Sequence, residues 1–546
     1  MPATPIGQRA RTRLAGGLAA ALLTATAACT TAPASSNPSS AQPQSSGQSQ
    51  RPGINPVVAT ADGAVRGRAL TALDEYLGIP YAAPPAGALR WRPPQPPKPW
   101  TGTRDATSYA PHCPQPPSPF GRAGTSEDCL YLNVLTPAGA SQSDSDLPVM
   151  VWVHGGALRT GESDSYNPEG LVRHGVVVVT INYRLGALGF LAETALASRP
   201  GAPSGDYGLM DQQAALRWVQ RNIRGFGGNP KSVTLFGESA GGLSTLAQLI
   251  SPGARGLFQR AIVESGTYAL TQPSLAAAES AGQAFAAKAG CTRTVSARDV
   301  ATCLRHLPVS TILSNQDPVG YTPDVDGAVL TRSVKTALAR GQFHHVPVMI
   351  GTNHDEYRLF VAIIQFLGGR VTAANYQAMI ASTLSLPATT ASAAAAQYPL
   401  GRYPSPPVAL GAVATDAVFA CHALTAEESM ARYVPVYAYE FNDENAPELF
   451  LPPAGFPYGA AHASELQYLF SQTAVPHPAP LSAAQQQLAA AMKQDWTNLA
   501  RTGVPAATWP RFSRTSHQVL SLVPPQPRVE TDFAAQHHCA FWSAQP

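Results

Sequence analysis

The sequence predicts an α/β protein in which a mostly parallel central sheet is covered by helices on both faces. Runs that are apolar throughout, as expected of strands buried on both sides, occupy residues 149–153, 176–181, 232–236, 260–263, 346–350 and 434–439. Stretches with the 3.6-residue period of helices alternate with them, as at 209–223 and 482–500. This alternation indicates one large domain with insertions over residues 53–546.

The first 28 residues have the pattern of an export signal. Arg9, Arg11 and Arg13 form a positive segment, and the apolar run over residues 14–28 is too short to span a bilayer comfortably. Cys29 follows at the expected cleavage point, which resembles a bacterial lipoprotein signal. We therefore predict an exported chain, either a cell-envelope lipoprotein held to the membrane by a lipid on Cys29 or a secreted protein. The alternative is cleavage at an A-x-A-like site that leaves Cys29 free or removes it.

Residues 29–52 are rich in serine, proline and glutamine and contain no large apolar side chain. Such a segment cannot bury enough surface to fold, so we predict a flexible tether ahead of a folded body that begins near Gly53. A net charge of +3 with 13% charged residues provides no basic footprint for nucleic acid. Nothing in the sequence indicates an oligomeric state.

The folded body is predicted to start with a hairpin over residues 57–69 that turns at Asp62–Gly63, because an Asp-Gly pair favours a tight hairpin turn. Seven cysteines are present, and six remain once Cys29 is set aside, which is consistent with three disulfides. Joining near neighbours first selects, among the possible pairings, Cys113–Cys129, Cys291–Cys303 and Cys421–Cys539. No cysteine or histidine spacing matches a zinc motif, and adjacent pairs such as His537–His538 cannot both face one ion from a regular element, so no metal site is predicted.

A nucleophile is predicted where the strand at 232–236 ends. Ser239 stands between Gly237 and Gly241 in TLFGESAGGLST (234–245), with an apolar strand before it and a leucine-rich helix after it. G-x-S-x-G at such a turn presents an exposed serine hydroxyl in the α/β-hydrolase fold. The alternative is that Ser239 only caps the helix.

Backbone donors for a substrate oxygen are predicted on two loops. The strand in VMVWVHGGAL (149–158) ends in a glycine-rich loop upstream of Ser239, where α/β-hydrolases carry an oxyanion loop. The N–H groups of Gly156, Ala157 and Ala240 would then stabilise the oxyanion. The alternative is an ordinary strand-ending turn. The acid and the base would follow the serine in that order, but the chain holds many carboxylates and histidines there, so the residues alone leave both roles open.

Four longer segments resemble the type-B carboxylesterase family, which includes the cholinesterases. They are EDCLYLNV (127–134), NYRLGALGFL (182–191), GDYGLMDQQAALRWVQRNI (205–223) and GNPKSVTLFGESAGG (228–242). The likeness runs from about Val57 to Trp542. It implies the α/β-hydrolase fold, hydrolysis of a small-molecule carboxylic ester through an acyl-enzyme, and no cofactor or metal.

The resemblance also implies the two open roles. GTNHDEYRLF (351–360) matches the family's acid segment at Glu356, with Asp355 beside it as a rival whose expected role is a structural hydrogen bond. GAAHASELQYLF (459–470) matches the family's histidine loop at His462. Glu238, next to the serine, is expected to be a structural hydrogen-bonding residue. The three cysteine pairs coincide with the family's three intrachain disulfides.

The substrate is expected to be a neutral short-chain alkyl or aryl ester. Cholinesterases hold the choline cation on a tryptophan in the loop closed by their first disulfide, whereas the corresponding loop here (114–128) contains only Phe120 as an aromatic residue. Arg122 in the same loop is expected to repel a quaternary ammonium group. A lipase is one alternative, because residues 357–420 and 447–458 could form an acyl pocket or a lid. A non-catalytic adhesion protein is the other, and an intact serine, acid and base argue against it.

Overall fold

The computed structural model describes residues 55–197, 204–291, 296–316, 321–472 and 475–545. The predicted signal peptide, the tether and Cys29 lie outside these residues. The strands are β1 Val57–Thr60, β2 Gly63–Arg66, β3 Arg68–Ala69, β4 Leu73–Pro80, β5 Thr103–Asp105, β6 Tyr131–Pro137, β7 Leu147–Val153, β8 Val177–Ile181, β9 Gly228–Glu238, β10 Arg260–Glu264, β11 Val348–Asn353, β12 Val436–Phe441, β13 Val519–Leu522 and β14 Arg528–Glu530.

The main sheet has eleven strands in the order β14-β13-β12-β11-β10-β9-β7-β8-β6-β4-β3. The strands from β13 to β8 in this order all pair in parallel. Antiparallel pairing is confined to the two edges, where β14 joins β13 and where β6, β4 and β3 extend the sheet beyond β8. A separate small sheet contains β1, β2 and β5. The predicted mostly parallel sheet is therefore confirmed.

Helices pack on both faces of the main sheet. The helices of the described residues are α1 Glu169–Val172, α2 Gly186–Phe190, α3 Tyr207–Asn222, α4 Ala240–Ile250, α5 Leu275–Lys288, α6 Ala297–His306, α7 Val309–Asn315, α8 Val334–Ala339, α9 Arg358–Phe366, α10 Tyr376–Leu384, α11 Ala388–Gln397, α12 Pro406–Thr415, α13 Cys421–Met430, α14 Leu466–Leu469, α15 Ala483–Thr502, α16 Phe533–Gln536 and α17 Cys539–Ser543.

The side chains of β7 show how the sheet divides the core. Val149, Val151 and Val153 point to one apolar cluster, which also contains the buried faces of α3 and α4. Met150 and Trp152 point to a second cluster, which contains the buried face of α15. Successive strand residues face opposite sides, so an all-apolar strand requires a helical layer on each face.

Two features of the N-terminal part differ from prediction. The hairpin turns at Ala61–Asp62, one residue earlier than expected, because Thr60 pairs with Gly63. The strand β4 escaped prediction because its sequence LDEYLGIP contains two acidic residues, yet every residue in it is buried. Glu75 is tolerated there because Arg68 on the neighbouring strand contacts its carboxylate at 2.5 Å.

Residues 357–420 form a helical insertion with an apolar core of its own, built mainly from α9 to α12. A π-helical turn, Asp416–Ala420, joins α12 to α13, so that Pro406–Met430 is one continuous helix. By length and composition this helix could cross a membrane, but most of its apolar stretch is buried within the protein, as in a core helix of a folded domain.

The structure contains the three disulfides selected from the sequence. The Cα atoms are 4.9 Å apart in Cys113–Cys129, 5.7 Å in Cys291–Cys303 and 5.2 Å in Cys421–Cys539. These separations lie within the range that a disulfide bridges without moving the backbone. Cys421–Cys539 spans 118 positions and ties the C-terminal helices to the start of α13.

Candidate active site

Ser239 lies at the sharp turn between β9 and α4. Its backbone has φ +55° and ψ −119°, a conformation that a non-glycine residue adopts only under strain. The flanking glycines are required by packing, since a Cβ on Gly237 would lie 2.5 Å from Val153 O and one on Gly241 would collide with the same atom. The Ser239 side chain makes no capping hydrogen bond, so the helix-cap interpretation fails and the hydroxyl is free for another role.

Three side chains form a continuous hydrogen-bonded chain at this turn. His462 Nε2 is 2.8 Å from Ser239 Oγ, and His462 Nδ1 is 2.5 Å from Glu356 Oε2. Glu356 is fully buried, and its other oxygen accepts hydrogen bonds from Thr352 Oγ1 at 2.8 Å and from Asn353 N at 2.9 Å. The predicted nucleophile, base and acid are thus brought together from three distant parts of the chain.

Asp355, the rival acid, has a different position. Its carboxylate forms an ion pair with Arg358 at 2.7 Å and accepts a hydrogen bond from Ala460 N at 3.1 Å. The Asp355 N–H in turn donates to Ala460 O at 3.0 Å. Asp355 therefore ties the acid loop to the loop that carries His462, which is the structural role expected of it.

The predicted oxyanion donors lie on the loop after β7 and at the start of α4. Gly156 has φ +101°, and a Cβ there would collide with Thr160 O, so this position requires glycine. Ala157 also has a positive φ, of +57°. In the part of the chain that the structure describes, the N–H groups of Gly156, Ala157 and Ala240 donate to no backbone or side-chain acceptor. All three remain available to a substrate oxygen.

The oxyanion loop is held by the first disulfide loop, through a residue that the sequence did not indicate. Gln115, buried two positions after Cys113, donates from Nε2 to Gly161 O at 2.9 Å. Its Oε1 accepts from Gly161 N at 2.7 Å. This amide pair fixes the end of the loop that begins at Gly156, and the only sequence signal was the nearness of Gln115 to a cysteine.

Asn353 is a second residue that sequence reasoning missed. Its backbone N–H binds Glu356, while its side-chain Nδ2 donates to Ala461 O at 2.8 Å and to Glu465 Oε2 at 2.5 Å. Asn353 therefore joins the acid, the histidine loop and a buried carboxyl group. Burial raises the pKa of Glu465 to about 7.

Glu238 was expected to be a structural hydrogen-bonding residue, and one of its carboxylate oxygens makes no such bond within the described residues. Its buried Oε1 has no hydrogen-bond partner among the described residues and lies 3.2 Å from His462 Nε2. Burial raises the pKa of Glu238 well above its usual range. Burial lowers the pKa of His462, but the nearby charges of Glu238 and Glu356 outweigh this effect and raise that pKa to about 9. Glu238 is thus an electrostatic neighbour of the base.

We expect Glu238→Gln to move the acidic limb of the pH profile of kcat/KM to lower pH. The base must be neutral to accept a proton, so activity rises with pH as His462 deprotonates. A protonated His462 favours the ionised form of Glu238. Replacing that carboxylate by an amide removes the negative charge beside the imidazolium, so the pKa of His462 falls and activity appears at lower pH. The measurement is kcat/KM for a neutral ester between about pH 5 and 10.

Glu264→Gln is the matched control for this change. Glu264 is also buried near the site, but its Oε1 accepts from Trp496 Nε1 at 2.8 Å, and it is not among the groups with the largest effects on the pKa of His462. We expect the acidic limb of the Glu264→Gln pH profile to coincide with that of the wild type. If the acidic limb of the Glu238→Gln profile also coincided with that of the wild type, Glu238 would not act on the base.

Aromatic side chains from the helical insertion surround the base. The rings of Phe360 and Phe419 have their centroids 5.1 Å and 5.3 Å from that of His462. Tyr268 lies beyond Phe419, at 5.8 Å between ring centroids. The insertion therefore supplies an apolar wall beside the hydrogen-bonded chain, which suits an apolar acyl or alcohol group.

The expectation that Arg122 would repel a cation is wrong. Its Nη2 contacts Asp164 Oδ2 at 2.5 Å, and its Nε contacts Glu162 Oε1 at 3.2 Å. Both carboxylates are buried and belong to the segment that follows the oxyanion loop. The charge of Arg122 is therefore paired with these two carboxylates.

Among the described residues, one group of histidine and carboxylate side chains has the composition of a metal site. It consists of His354, Glu440 and His537 and contains none of the predicted site residues. At Ser239 itself, the hydrogen bonds to His462 and on to Glu356, together with the free backbone N–H groups, offer a serine hydroxyl with a base, an acid and oxyanion donors.

Comparisons with known proteins place the chain in a family. The model of a family described as "Carboxylesterase family" matches residues 54–542. Similar curated proteins include an acylcarnitine hydrolase from Mus musculus, 35% identical over 484 residues and covering 83% of this chain and 84% of the relative. A para-nitrobenzyl esterase from Bacillus subtilis is 35% identical over 488 residues, which are 85% of this chain and 94% of the relative. A solved structure of a PNB esterase superposes with a TM-score of 0.75 at 32% identity, over 89% of this chain and 100% of that one.

Proposed function

The chain belongs to the carboxylesterase family and is a carboxylic ester hydrolase, and we propose that it acts through an acyl-enzyme formed on Ser239. The observation that carries this proposal is the hydrogen-bonded chain from Ser239 Oγ through His462 to Glu356, with distances of 2.8 Å and 2.5 Å. Such a chain is what an unactivated serine hydroxyl needs in order to attack a carbonyl carbon.

In the first half of the reaction, Ser239 Oγ attacks the ester carbonyl while His462 Nε2 takes the hydroxyl proton. Glu356 keeps Nδ1 protonated, orients the ring and stabilises the imidazolium that forms. The N–H groups of Gly156, Ala157 and Ala240 bind the oxygen that becomes negative. His462 then gives its proton to the leaving alcohol.

In the second half, water attacks the acyl-enzyme. His462 takes a proton from the water and returns it to Ser239 Oγ when the carboxylic acid leaves. Atoms balance without any further reagent, since one water is consumed and one alcohol and one acid are released.

We propose neutral short-chain alkyl or aryl esters as the substrates. The aromatic wall of Phe360 and Phe419 beside His462 supports an apolar substrate. The test is kcat/KM for p-nitrophenyl acetate, butyrate, octanoate and laurate. We expect a maximum at the short acyl groups. A maximum at laurate would favour the lipase alternative, and the absence of turnover with every ester would favour the non-catalytic one.

We expect a neutral ester to be preferred over a choline ester of the same acyl group. The first disulfide loop contains no tryptophan, and its Phe120 ring packs against Phe450, with 5.2 Å between centroids. A desolvated cation–π contact contributes roughly 2 kcal/mol or more, which is about thirtyfold in binding. The measurement is kcat/KM for butyrylcholine against a neutral butyrate of matched leaving-group pKa.

The name of one relative favours the opposite result, a preference for the choline ester. Carnitine carries a quaternary ammonium group, and the relative from Mus musculus is named for acylcarnitine hydrolysis. A choline ester turned over tenfold better than the neutral one would therefore reveal a cation site outside the first disulfide loop.

We also propose that the chain is exported and anchored through a lipid on Cys29. The positive segment and the apolar run before Cys29 support this proposal. Cys29→Ala should move the enzyme from the membrane fraction to a soluble exported fraction with unchanged activity per molecule, because the proposed site residues all lie later in the chain. The anchor is contradicted if mass spectrometry finds no lipid on the N-terminal residue of the mature wild-type chain. The lipid is expected to comprise more than one acyl chain, because a single acyl chain does not hold a protein stably at a membrane.

A further inference from the structure

Three elements bring metal-binding side chains to one place outside the proposed ester site. His354 follows β11, Glu440 lies in β12 and His537 follows α16. Glu440 Oε1 is 2.9 Å from His354 Nδ1 and 2.6 Å from His537 Nε2. The three potential ligand atoms all lie within 4.8 Å of one another.

The surroundings of this group resemble the outer shell of a metal site. His537 Nδ1 is 2.6 Å from Asp416 Oδ1, so Asp416 fixes the ring with Nε2 turned toward Glu440. Asp416 is fixed in turn by Tyr398, whose hydroxyl donates to Oδ2 at 2.7 Å. A carboxylate on the far nitrogen of a histidine sets its tautomer and increases its strength as a ligand.

Glu440 has binding capacity that the protein does not use. It is fully buried in the sheet, yet its Oε2 has no hydrogen-bond partner among the described residues. A buried carboxylate oxygen without a partner is costly unless something else occupies it. The His354 side chain is 31% exposed, so the group is open to solvent on one side.

We propose that His354, Glu440 and His537 form a Zn²⁺ site, with Asp416 as the outer-shell partner of His537. Two imidazole nitrogens and one carboxylate are a ligand set that zinc takes in four-coordinate sites, with a water in the remaining position. Zinc–ligand bonds of about 2.0–2.2 Å place tetrahedral ligands about 3.4 Å apart. The two histidine nitrogens would therefore move away from Glu440 Oε1, to which they lie at 2.9 Å and 2.6 Å, within a group whose ligand atoms now span at most 4.8 Å. The water would enter on the exposed side of His354.

The site would connect two parts of the chain that the fold already brings together. His354 precedes Glu356 by two positions, and His537 precedes Cys539 by two positions in the segment that the third disulfide ties down. Zinc would thus link the loop of the proposed acid to the C-terminal segment. The sequence did not indicate this site because its ligands come from three distant segments and no two of them share a motif.

The test is calorimetric titration of Zn²⁺ into the purified mature chain, without a histidine tag and after chelator treatment. We expect one Zn²⁺ per chain and a melting temperature that rises with Zn²⁺ concentration, because a ligand that binds only the folded state stabilises it. Asp416→Asn should weaken binding by about 10- to 100-fold. His354→Ala, which alters the most exposed ligand and leaves the buried pair in place, should abolish both the binding heat and the shift in melting temperature.

His517→Ala is the matched control. His517 Nε2 lies 3.0 Å from Glu428 Oε1 in a partly exposed histidine–carboxylate pair, which has no third potential ligand beside it in the described parts of the chain. It should bind Zn²⁺ as the wild type does. The proposal is overturned if the wild-type chain shows no stoichiometric binding, or if His354→Ala binds Zn²⁺ with wild-type affinity while remaining folded by circular dichroism.

Discussion

Ser239→Ala is expected to lower kcat for a neutral ester by several orders of magnitude, and His462→Ala by a similar amount. The hydrogen bond of 2.8 Å between the two side chains makes them one functional unit, so losing either removes the nucleophile or its activation. The backbone donors remain, and they leave a residual catalysis of about 10³–10⁴-fold over water. The measurement is kcat on p-nitrophenyl butyrate, with the melting temperature measured for each variant.

Ser244→Ala is the matched control for this pair of changes. Ser244 lies in α4, the helix that follows Ser239, is fully buried and accepts a hydrogen bond from Gln212 Nε2 at 3.0 Å. Its loss removes a hydroxyl of the same kind away from the proposed site, so stability should change while kcat stays close to that of the wild type. A Ser239→Ala variant with more than a tenth of wild-type kcat would contradict the assignment of the nucleophile.

Glu356→Gln is expected to lower kcat by about 10⁴-fold, the size of effect seen when an amide replaces the carboxylate of such a triad. The amide cannot hold the proton on His462 Nδ1 as the carboxylate does, and it carries no negative charge to stabilise the imidazolium. The carboxylate also accepts from Thr352 Oγ1 and Asn353 N, and an amide oxygen retains those bonds, so the fold should be preserved. The measurement is kcat with the melting temperature of the same sample.

Asp355→Asn separates the acid from its neighbour. It breaks the ion pair with Arg358 and weakens the bond from Ala460 N, both of which act on loop structure. We therefore expect a larger fall in melting temperature than in Glu356→Gln and a smaller fall in kcat. If Asp355→Asn were the more damaging of the two for kcat, the acid assignment would be wrong.

Local sequence patterns predicted the features that depend on local packing. The apolar runs indicated the parallel strands, and G-x-S-x-G indicated the turn at Ser239, because only glycine fits against Val153 O on either side of it. The roles of Glu356 and His462 followed only from the family resemblance. No local pattern distinguishes these two residues from the other carboxylates and histidines, because their roles depend on a contact between residues 106 positions apart.

The features that the sequence failed to predict depend on partners from distant segments. Arg122 was expected to carry an unpaired charge, because its partners Glu162 and Asp164 lie about forty positions later in the sequence. Glu238 was expected to be hydrogen-bonded, and its isolation beside His462 arises from burial that composition does not reveal. The strand β4 was missed because its two acidic residues interrupt the apolar pattern, and the partner of Glu75, Arg68, lies on a neighbouring strand that no local pattern indicates.

The most direct test of the acyl-enzyme is covalent trapping of the nucleophile. Diethyl p-nitrophenyl phosphate mimics an ester but leaves a phosphoryl group that water removes slowly, and peptide mass mapping locates the modified residue. We predict one equivalent of label per chain, on Ser239, with activity lost in proportion and no label in Ser239→Ala. Label on any other residue in step with the loss of activity, or full activity after Ser239 is labelled, would contradict the account.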